Sequence, residues 1–390
     1  MMGHIRTLTP SDLDSLIAMR QEAFVVPAAH ADEERQRLLP RLAFTRGVFE
    51  QSQLASSMTL FPFTMYVAGK TLSVAGLAAV MSRPQYRRRG HIRMLLKDGL
   101  ENLRAAGVAW CLAYPFDPLY YAKFGWQSVP AGLALEAPSQ LLFRGRPPDA
   151  LALSAADVAD HSTLHSIYRD WAAQYTFTML RDSTVRPDWV NLMKGERKAY
   201  LLDGAYVVLE LQRSSNQTLR LEVHDYAFTH PRGRADLFRF LGSFHGQVDS
   251  ILWRLPSDEP LGFDLQGYTQ PIKHGFQARI VDVSKALQHC AINLPPGRSV
   301  TLGVSDDFCA WNNQSFRLSQ GDNGLKISTE TAEEPQLSLD VRTLTLLLSG
   351  GLRAVAAERA GLLRGALKYA QWLEQGAAQR VPFMSRADFF

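Results

Sequence analysis

Hydrophobic and polar positions in the first third of the chain predict a strand, a turn and a helix in close succession. Residues 71–80 form a nearly continuous apolar run, which predicts a buried strand. A second set of apolar residues recurs at helical spacing: Ile92, Leu95, Leu96, Leu100 and Leu103. Gly107 follows at the position where a glycine commonly ends a helix. The pattern therefore predicts that the residues between 80 and 92 connect a strand to a helix start.

This connection is rich in arginine, with Arg87, Arg88 and Arg89 directly before Gly90. The first N–H groups of a helix have no partner within it, and together with the helix dipole they favour an anion. The guanidinium groups add positive charge, and Gly90 lets a ligand approach the backbone closely. We therefore expect a phosphorylated ligand here. Considered alone, the turn is equally compatible with a solvated basic surface or a patch for nucleic acid.

A second strand pattern at residues 108–114 is followed by an aromatic segment, Tyr121-Ala-Lys-Phe-Gly-Trp126. This order of strand, arginine–glycine turn, helix, strand and aromatic element resembles the GCN5-related N-acetyltransferases (GNAT). In that family the amides of the turn hold the pyrophosphate of acetyl-CoA. The motif here is Arg87-x-x-Gly90-x-Ile92. Ile92 departs from the pattern, since the family more usually has Gly or Ala at that position.

Periodicity along the rest of the chain favours two further regions of mixed strands and helices. In residues 131–283, strand patterns at 205–211 and 219–225 surround a turn at 214–216, and a helix (235–241) and a strand (250–255) follow. This repeats the order of the first region, residues 1–130, without an arginine-rich turn. Residues 284–390 predict strands at 299–304 and 315–318, then helices at 341–348, 352–358 and 363–374. This region resembles the sterol-carrier-protein-2-like domain.

The three regions together resemble the Eis (enhanced intracellular survival) family over essentially the whole chain. The expected fold class is α/β (α+β): tandem GNAT-like domains, the second without a cofactor loop, and a sterol-carrier-protein-2-like domain. The local elements that carry the resemblance are Arg87–Gly90, Tyr121–Trp126, Trp253–Pro260, Ile280–Val283 and Asp388–Phe390. The family implies acetyl-CoA as acetyl donor, a small-molecule amine as acceptor (an aminoglycoside, a polyamine or a lysine-type amine) and a hexamer.

Composition adds limits to this interpretation. A hydrophobic content of 46% and a charged content of 21% are typical of packed domains, and a net charge of +4 does not demand nucleic acid. No apolar stretch reaches the roughly 20 residues needed to cross a membrane, and residues 1–6 lack the core of a secretion signal. Cys111, Cys290 and Cys309 have no metal-ligand spacing. The sequence thus predicts a cytoplasmic enzyme without metal or disulfides.

Acetyl transfer to an amine requires a base, a group that polarises the thioester carbonyl, and an acid for the departing thiolate. The resemblance favours Tyr121 as the acid, although Tyr120 is a rival and a core aromatic is the structural alternative. The resemblance also implies that backbone N–H groups at the end of the strand polarise the thioester carbonyl, at Val80, Met81 and Ser82. The resemblance implies a pyrophosphate site at Arg88, Arg89, Gly90, His91, Ile92 and Arg93, and a site for the thiol end of acetyl-CoA near Phe116 and Asp117.

In Eis-type enzymes the terminal carboxylate enters the active site of the first domain as the base, which implies Phe390 here. The alternative is a frayed terminus. Two large aromatics, Phe389 and Phe390, argue against exposure. Two other functions stay open: a carrier of lipids or other hydrophobic ligands, because of the last region, and a protein that binds acetyl-CoA without catalysis. Asp32, Glu33 and Glu34 are more typical of a solvated helix face than of a site for cations.

Overall fold

The fold is that of a computed structural model of the chain. It describes residues 3–25, 27–130, 132–142, 145–181, 189, 192–213, 218–260, 269–270, 275–290, 292–321, 324–329, 334–376 and 380–390. The turn expected at residues 214–216 lies outside these described residues. Three β-sheets with helices packed on them organise the chain, which confirms the expected α/β (α+β) class.

The described strands are, in chain order, His4–Thr7 (β1), Thr45–Glu50 (β2), Gln53–Val67 (β3), Lys70–Ser82 (β4), Trp110–Ala113 (β5), Gln127–Ser128 (β6), Leu133–Pro138 (β7), Leu151–Leu153 (β8), Lys198–Leu202 (β9), Ala205–Arg213 (β10), Leu219–Phe228 (β11), Ser250–Leu255 (β12), Thr269–Gln270 (β13), Gln277–Ile280 (β14), Ser299–Ser305 (β15), Gln314–Gly321 (β16), Gly324–Ser328 (β17), Leu337–Asp340 (β18) and Arg364–Gly365 (β19).

The described α-helices are Leu13–Phe24 (α1), Ala31–Leu38 (α2), His91–Ala105 (α3), Pro118–Ala122 (α4), Ala155–Asp160 (α5), Ser162–Ala172 (α6), Pro231–Gly242 (α7), Val283–His289 (α8), Val341–Ser349 (α9), Ala354–Arg359 (α10) and Leu367–Gly376 (α11).

The first sheet has the strand order β1-β2-β3-β4-β5-β14-β6, and its centre is built as the periodicity predicts. β3 and β4 form an antiparallel hairpin around Ala68 and Gly69, both of which have positive φ. The amphipathic helix α3 then crosses over to β5, which lies parallel to β4. Leu95, Leu96 and Leu100 on α3 are buried against the sheet. Apolar burial of this one helix face holds the crossover in place.

The second sheet repeats this arrangement in the order β13-β7-β12-β11-β10-β9-β8. β10 and β11 are an antiparallel hairpin, α7 crosses over, and β12 lies parallel to β11. A core of buried aromatic residues fills the space between this sheet and its helices, among them Trp171, Tyr206, Tyr226 and Trp253. The expected recurrence of the first region's strand–strand–helix–strand order is therefore confirmed.

The third sheet, β17-β16-β15-β18-β19, carries the helices of the last region. Two of those helices differ from their expected bounds. Helices expected at 352–358 and 363–374 are instead Ala354–Arg359 and Leu367–Gly376. The apolar spacing continues into residues that are not helical: Arg353 is extended where it precedes α10, and Arg364–Gly365 pairs with β18. Prediction from periodicity alone therefore places the starts of these two helices too early in the chain.

The first two sheets exchange strands. β14 directly follows the last strand of the second sheet, β13, in sequence, but it pairs antiparallel with β5 of the first sheet. Conversely, β7 directly follows β6 of the first sheet and pairs antiparallel with β12 of the second sheet. Division of the chain at residues 130 and 283 stays a prediction, and the first sheet includes strands from both sides of residue 130. Sequence order could not reveal this, because an apolar strand pattern does not specify its partner.

Arg279, on the exchanged strand β14, joins all three regions. Its side chain is fully buried and its Nη2 donates to both carboxylate oxygens of Asp306, at 3.1 and 2.8 Å. The guanidinium carbon lies 5.6 Å from the centroid of the Trp126 ring. Asp306 also accepts hydrogen bonds from the backbone N–H groups of Phe308 and Cys309. One buried ion pair thus connects the first sheet to the third region.

Other expectations have simple structural counterparts. Cys111, Cys290 and Cys309 are buried free thiols. Among the described residues there is no group of three or more His, Cys, Asp or Glu side chains suited to a metal ion. No helix in the described part of the chain combines the length and the apolar character needed to span a bilayer.

The Arg279–Asp306 pair generates a stability prediction. We expect Asp306→Ala to lower the free energy of unfolding by about 3–5 kcal/mol, because it leaves a fully buried guanidinium without its counter-charge. Asp14→Asn is the control, since Asp14 pairs with Arg35 while its side chain is 82% exposed, and it should cost less than about 1 kcal/mol. Urea unfolding curves measure both. If both substitutions lower the free energy of unfolding by the same small amount, the Arg279–Asp306 pair does not hold the regions together.

Candidate active site

The end of β4 carries a β-bulge at the point where it separates from β5. Ser57 pairs with Met81 and Thr59 with Ala78, so Ala79 and Val80 together oppose a single residue of β3. Ala79 has a φ of 50°, which is uncommon for a residue other than glycine. β5 pairs with β4 only as far as Leu77. Beyond it, this edge of β4 has no strand partner among the described residues, so backbone groups there are available to a ligand.

The predicted carbonyl donors lie in this segment of β4, where the N–H groups that point away from β3 face the unpaired edge. Val80 and Ser82 are half-buried, and Met81 is buried against α1. The Ser82 hydroxyl is hydrogen-bonded to that of Ser56 at 2.7 Å. A strand that is packed on one side and open along its edge can present fixed N–H groups to a carbonyl oxygen.

The arginine-rich turn has the backbone of an anion site. Arg88 and Gly90 both adopt left-handed conformations, with φ of 61° and 82°, on either side of Arg89. Such alternation directs successive N–H groups into one concavity. α3 begins at His91 without a side-chain cap, so its first N–H groups keep their capacity to donate. A Cβ on Gly90 would meet nothing within 4 Å, so the space in front of the turn is open.

Charges around the turn separate into two groups. Arg87, Arg88 and Arg93 are exposed, and their guanidinium groups form no ion pair with the described residues. Arg89 donates to Glu50 at 2.9 Å. The buried His91 imidazole is held by Glu50 at 2.7 Å and by the Ser56 hydroxyl at 3.2 Å. His91 can therefore offer a ligand its backbone rather than its ring, and Ile92 is half-buried beside it.

Tyr121 lies on the short helix α4, just after the end of β5. The Asp117 carboxylate caps this helix by accepting from the N–H of Leu119 at 2.9 Å. The ring of Phe116 is 76% exposed and lies 5.8 Å from the ring of Tyr121. Burial raises the pKa of the Tyr121 phenol, and the neighbouring Tyr120 phenol raises it further. Tyr121 therefore keeps its proton at neutral pH and is able to donate it.

The glycine of the aromatic motif has a structural cause. Gly125 has a φ of 85°, and a Cβ there would collide with the guanidinium of Arg279. The turn after α4 is closed by the backbone N–H groups of Phe124 and Trp126, which both donate to the carbonyl of Tyr121. The strand exchange thus helps to fix the position of Tyr121.

The Phe390 ring packs on the first sheet. Its centroid lies 4.9 Å from that of Phe63 on β3 and 5.4 Å from that of Tyr114, the residue after β5. A Cβ on Gly76 of β4 would come within 2.8 Å of this ring, so the ring needs a glycine there. The Phe390 ring therefore packs beside the end of β5, and α4, which follows β5 in the chain, carries Tyr121. Sequence reasoning missed Phe63, Gly76 and Tyr114, because nothing local links them to residue 390.

The equivalent helix start in the second sheet is filled by the protein itself. Pro231 is the first residue of α7, and the His230 Nδ1 accepts from the N–H of Gly233 at 2.9 Å. The His230 ring packs against Gly204, where a Cβ would collide with it. One of the first N–H groups of α7 is thus already bound and another is absent in Pro231, so this helix start offers fewer donors to a phosphate than that of α3.

Two remaining features bear on ligands. The three acidic residues of α2 differ in their surroundings. Glu34 is buried and bound by Arg20 and Arg37, whereas Asp32 and Glu33 are exposed.

In the third region an apolar cavity of about 360 Å³ lies between the sheet and its helices. Its lining includes Leu287, Leu302, Leu344, Leu348 and Leu373. A cavity of this size accommodates a small hydrophobic ligand.

Comparisons with known proteins agree with this geometry. Residues 4–129 and 182–280 match family models described as acetyltransferase (GNAT) domains, and residues 283–385 match a model described as a sterol carrier protein domain. The chain is therefore an acyltransferase in which a sterol-carrier-like domain follows GNAT domains, and acetyl-CoA, the donor that GNAT domains use, is its acetyl donor.

Relatives extend over most or all of the chain. A protein of Streptomyces avermitilis named as an uncharacterized N-acetyltransferase is 25% identical over 365 residues, or 86% of this chain and 87% of its own. A GCN5-related N-acetyltransferase structure from Anabaena variabilis has a TM-score of 0.86, 19% identity and full coverage of both chains. Eis1 from Mycobacterium abscessus has a TM-score of 0.80 and 23% identity over 99% of this chain and 100% of its own. The resemblance to the Eis family is confirmed for fold and domain order.

The anion site generates a binding prediction. We expect the double variant Arg88→Glu/Arg89→Glu to bind acetyl-CoA more than about 100-fold more weakly, since each charge-assisted hydrogen bond contributes about 1.5–3 kcal/mol. The double variant Lys326→Glu/Arg359→Glu makes the same change in net charge at exposed positions of the third region. Isothermal titration calorimetry compares the two. Unchanged affinity of the Arg88→Glu/Arg89→Glu variant for acetyl-CoA would show that the arginine-rich turn does not bind the cofactor.

Proposed function

We propose that this protein transfers the acetyl group of acetyl-CoA directly to a primary amine, with Tyr121 as general acid and the carboxylate of Phe390 as general base. The observation that supports this proposal is the end of β5: the Phe390 ring packs on Tyr114 directly after this strand, Tyr121 follows on α4, and β4 is bulged beyond its last pairing with β5. Acetyl-CoA supplies an activated thioester. The residues of this chain bind it, orient its carbonyl and move protons.

The donor is held at two places in this proposal. The N–H groups of Arg88–Arg93 and their side-chain charges bind the pyrophosphate, which the left-handed Arg88 and Gly90 support. The unpaired edge at Val80, Met81 and Ser82 donates to the thioester oxygen, on which negative charge develops as the amine attacks. Phe116, exposed and next to Tyr121, borders the thiol end, and Asp117 acts by capping α4.

Proton transfer is divided between two groups. An alkyl ammonium has a pKa near ~10.4, so it must lose a proton before it can attack. The α-carboxyl has an ordinary pKa near ~3.5, and burial disfavours its charged form and so raises that pKa toward the range of an efficient base. Phe390 is half-buried with its ring packed on Phe63 and Tyr114, and the proposal assigns the same environment to its carboxylate. The Tyr121 phenol, which retains its proton, donates it to the departing thiolate.

The acceptor class follows from the resemblance to Eis-type enzymes: an aminoglycoside, a polyamine or a lysine-type amine. Asp32 and Glu33 are exposed carboxylates on α2 that suit a cationic acceptor, whereas Glu34 is already bound by arginines. A hexamer and a cytoplasmic location are further parts of the same proposal. Cross-linking and sedimentation measure the oligomeric state directly.

A hydrophobic-ligand carrier is the second candidate, and the apolar cavity of the third region favours it. A thiol-release assay with acetyl-CoA and a panel of aminoglycosides, polyamines and lysine peptides separates the two functions. Turnover with any of these amines supports the enzyme and identifies its acceptor. Absence of turnover, together with tight binding of a fatty acid, favours the carrier.

Tyr121→Phe tests the proposed acid. We expect kcat to fall by about 10²–10⁴-fold, with acetyl-CoA affinity and fold unchanged, because the variant loses one proton and little volume. Steady-state thiol release measures kcat. Tyr120→Phe is the matched control, since Tyr120 is the adjacent, less buried phenol. A defect confined to Tyr120→Phe would assign the acid to that residue instead.

Phe390 offers a test of the proposed base. Adding one glycine after Phe390 turns its carboxylate into a neutral amide, and deleting Phe390 moves the carboxylate by about 3.3–3.6 Å, beyond hydrogen-bond reach. We expect either change to lower kcat by about 10²–10⁴-fold at unchanged acetyl-CoA affinity. An N-terminal glycine extension is the control. If both C-terminal variants keep the kcat of the unmodified protein, the base lies elsewhere.

A further inference from the structure

The segment that ends in Phe390 is attached to the middle region by a buried polar cluster, here called the terminal clamp: Arg181, Asp225, Ser385 and Asp388. Arg181 donates to Asp388 at 2.9 and 3.1 Å and to Asp225 at 2.6 and 2.8 Å. The Ser385 hydroxyl donates to Asp225 at 2.6 Å. The three charged side chains are at most 1% exposed. The clamp therefore has the geometry of a fixed, solvent-free joint.

Aromatic residues complete the surroundings of the clamp. The Tyr206 hydroxyl donates to Asp225 at 2.6 Å, and the Arg181 guanidinium carbon lies 3.9 Å from the centroid of the Tyr168 ring. Burial opposes the charge of Arg181, but the carboxylates of Asp225 and Asp388 raise its pKa well above the ordinary value. Arg181 thus stays charged where it binds the two carboxylates.

The clamp is connected through the backbone to the active site on both sides. The segment before Arg181 pairs with β3 of the first sheet, where the N–H of Phe177 donates to Tyr66 at 2.7 Å and that of Leu180 donates to Thr64 at 2.8 Å. On its other edge, Thr176 exchanges hydrogen bonds of 3.0 and 2.9 Å with Val381 and Phe383. The same short segment therefore holds β3 and the terminal segment in one arrangement.

After the clamp the chain has two residues left, which span at most about 7 Å. Phe389 packs on Tyr114 with ring centroids 4.1 Å apart, and the guanidinium carbon of Arg254, on β12, lies 4.8 Å from the Phe389 ring centroid. Phe390 then contacts Phe63 and Tyr114. Displacement of Asp388 therefore passes directly to the carboxylate of Phe390.

We propose that the middle region serves as the anchor of the catalytic terminus, with Arg181, Asp225 and Asp388 as positioning residues for the Phe390 carboxylate. This inference rests on the proposed role of Phe390 as base. Desolvation offsets most of the attraction in a buried ion pair, so such a cluster adds little net stability. Its specific contribution is geometry, because the planar guanidinium binds both carboxylates in a fixed orientation. A base displaced by about 1 Å loses about 10²-fold in rate.

Asp388→Asn is the test variant. It keeps the size of the side chain and leaves Arg181 paired with Asp225, so no charge in the cluster loses its counter-charge. We expect kcat to fall by about 10²-fold while acetyl-CoA affinity is unchanged. Asp236→Asn is the matched control, since Asp236 is also a buried, arginine-bound aspartate of the middle region but does not touch the terminal segment. Ser385→Ala releases a second attachment of the terminal segment and replaces Asp388→Asn if that variant unfolds.

A double-mutant cycle separates positioning from a general structural role. If the clamp acts through the terminal carboxylate, Asp388→Asn has no further effect on kcat once Phe390 is deleted. The inference is overturned if Asp388→Asn lowers kcat by the same factor with and without Phe390. It is also overturned if Asp388→Asn leaves kcat unchanged when Phe390 is present. If deletion of Phe390 alone leaves kcat unchanged, the proposed base fails first and the clamp has nothing to position. Thermal unfolding of each variant shows whether the fold is retained.

Discussion

β14 completes the first sheet and β7 the second, so each GNAT-like sheet depends on a strand that directly follows the last strand of the other sheet in sequence. This exchange determines how the rest of the molecule is held. It carries Arg279 into the first half, where the side chain excludes any residue but glycine at position 125 and binds Asp306 of the third region. The loop that bears Tyr121 is therefore fixed by a residue more than 150 positions away.

The two halves have diverged at one place in a shared arrangement. In the first half the helix start after the hairpin is open, with left-handed Arg88 and Gly90 before α3. In the second half the corresponding start is closed by His230 and Pro231. The second half keeps a packed aromatic core and carries other contacts. Here its buried polar cluster holds the segment that reaches the first half.

Much of this architecture could be predicted from the sequence, for identifiable physical reasons. The apolar run before Ser82 and the helical spacing after Gly90 specify β4 and α3, because each element buries one continuous apolar face. The bulge at Ala79 could not be predicted, since an alanine in an apolar run carries no signal of a positive φ. Neither could the Arg181 cluster, because residues 181, 225 and 388 approach one another only through tertiary contacts. Composition does not distinguish a buried charge from an exposed one.

The exchanged strand also governs the order in which the chain can fold as it is synthesised. Roughly 160 residues separate β5 from its partner β14, which at about 5–20 residues per second corresponds to about 10–30 s of translation. During that interval the edge of β5 is unpaired, and the short strand β6, which pairs only with β14 among the described strands, has no neighbour to join. Such an open apolar edge is a template for pairing with other chains. The first sheet therefore cannot close until β14 has been synthesised, and the edge of β5 stays open to other chains for that interval.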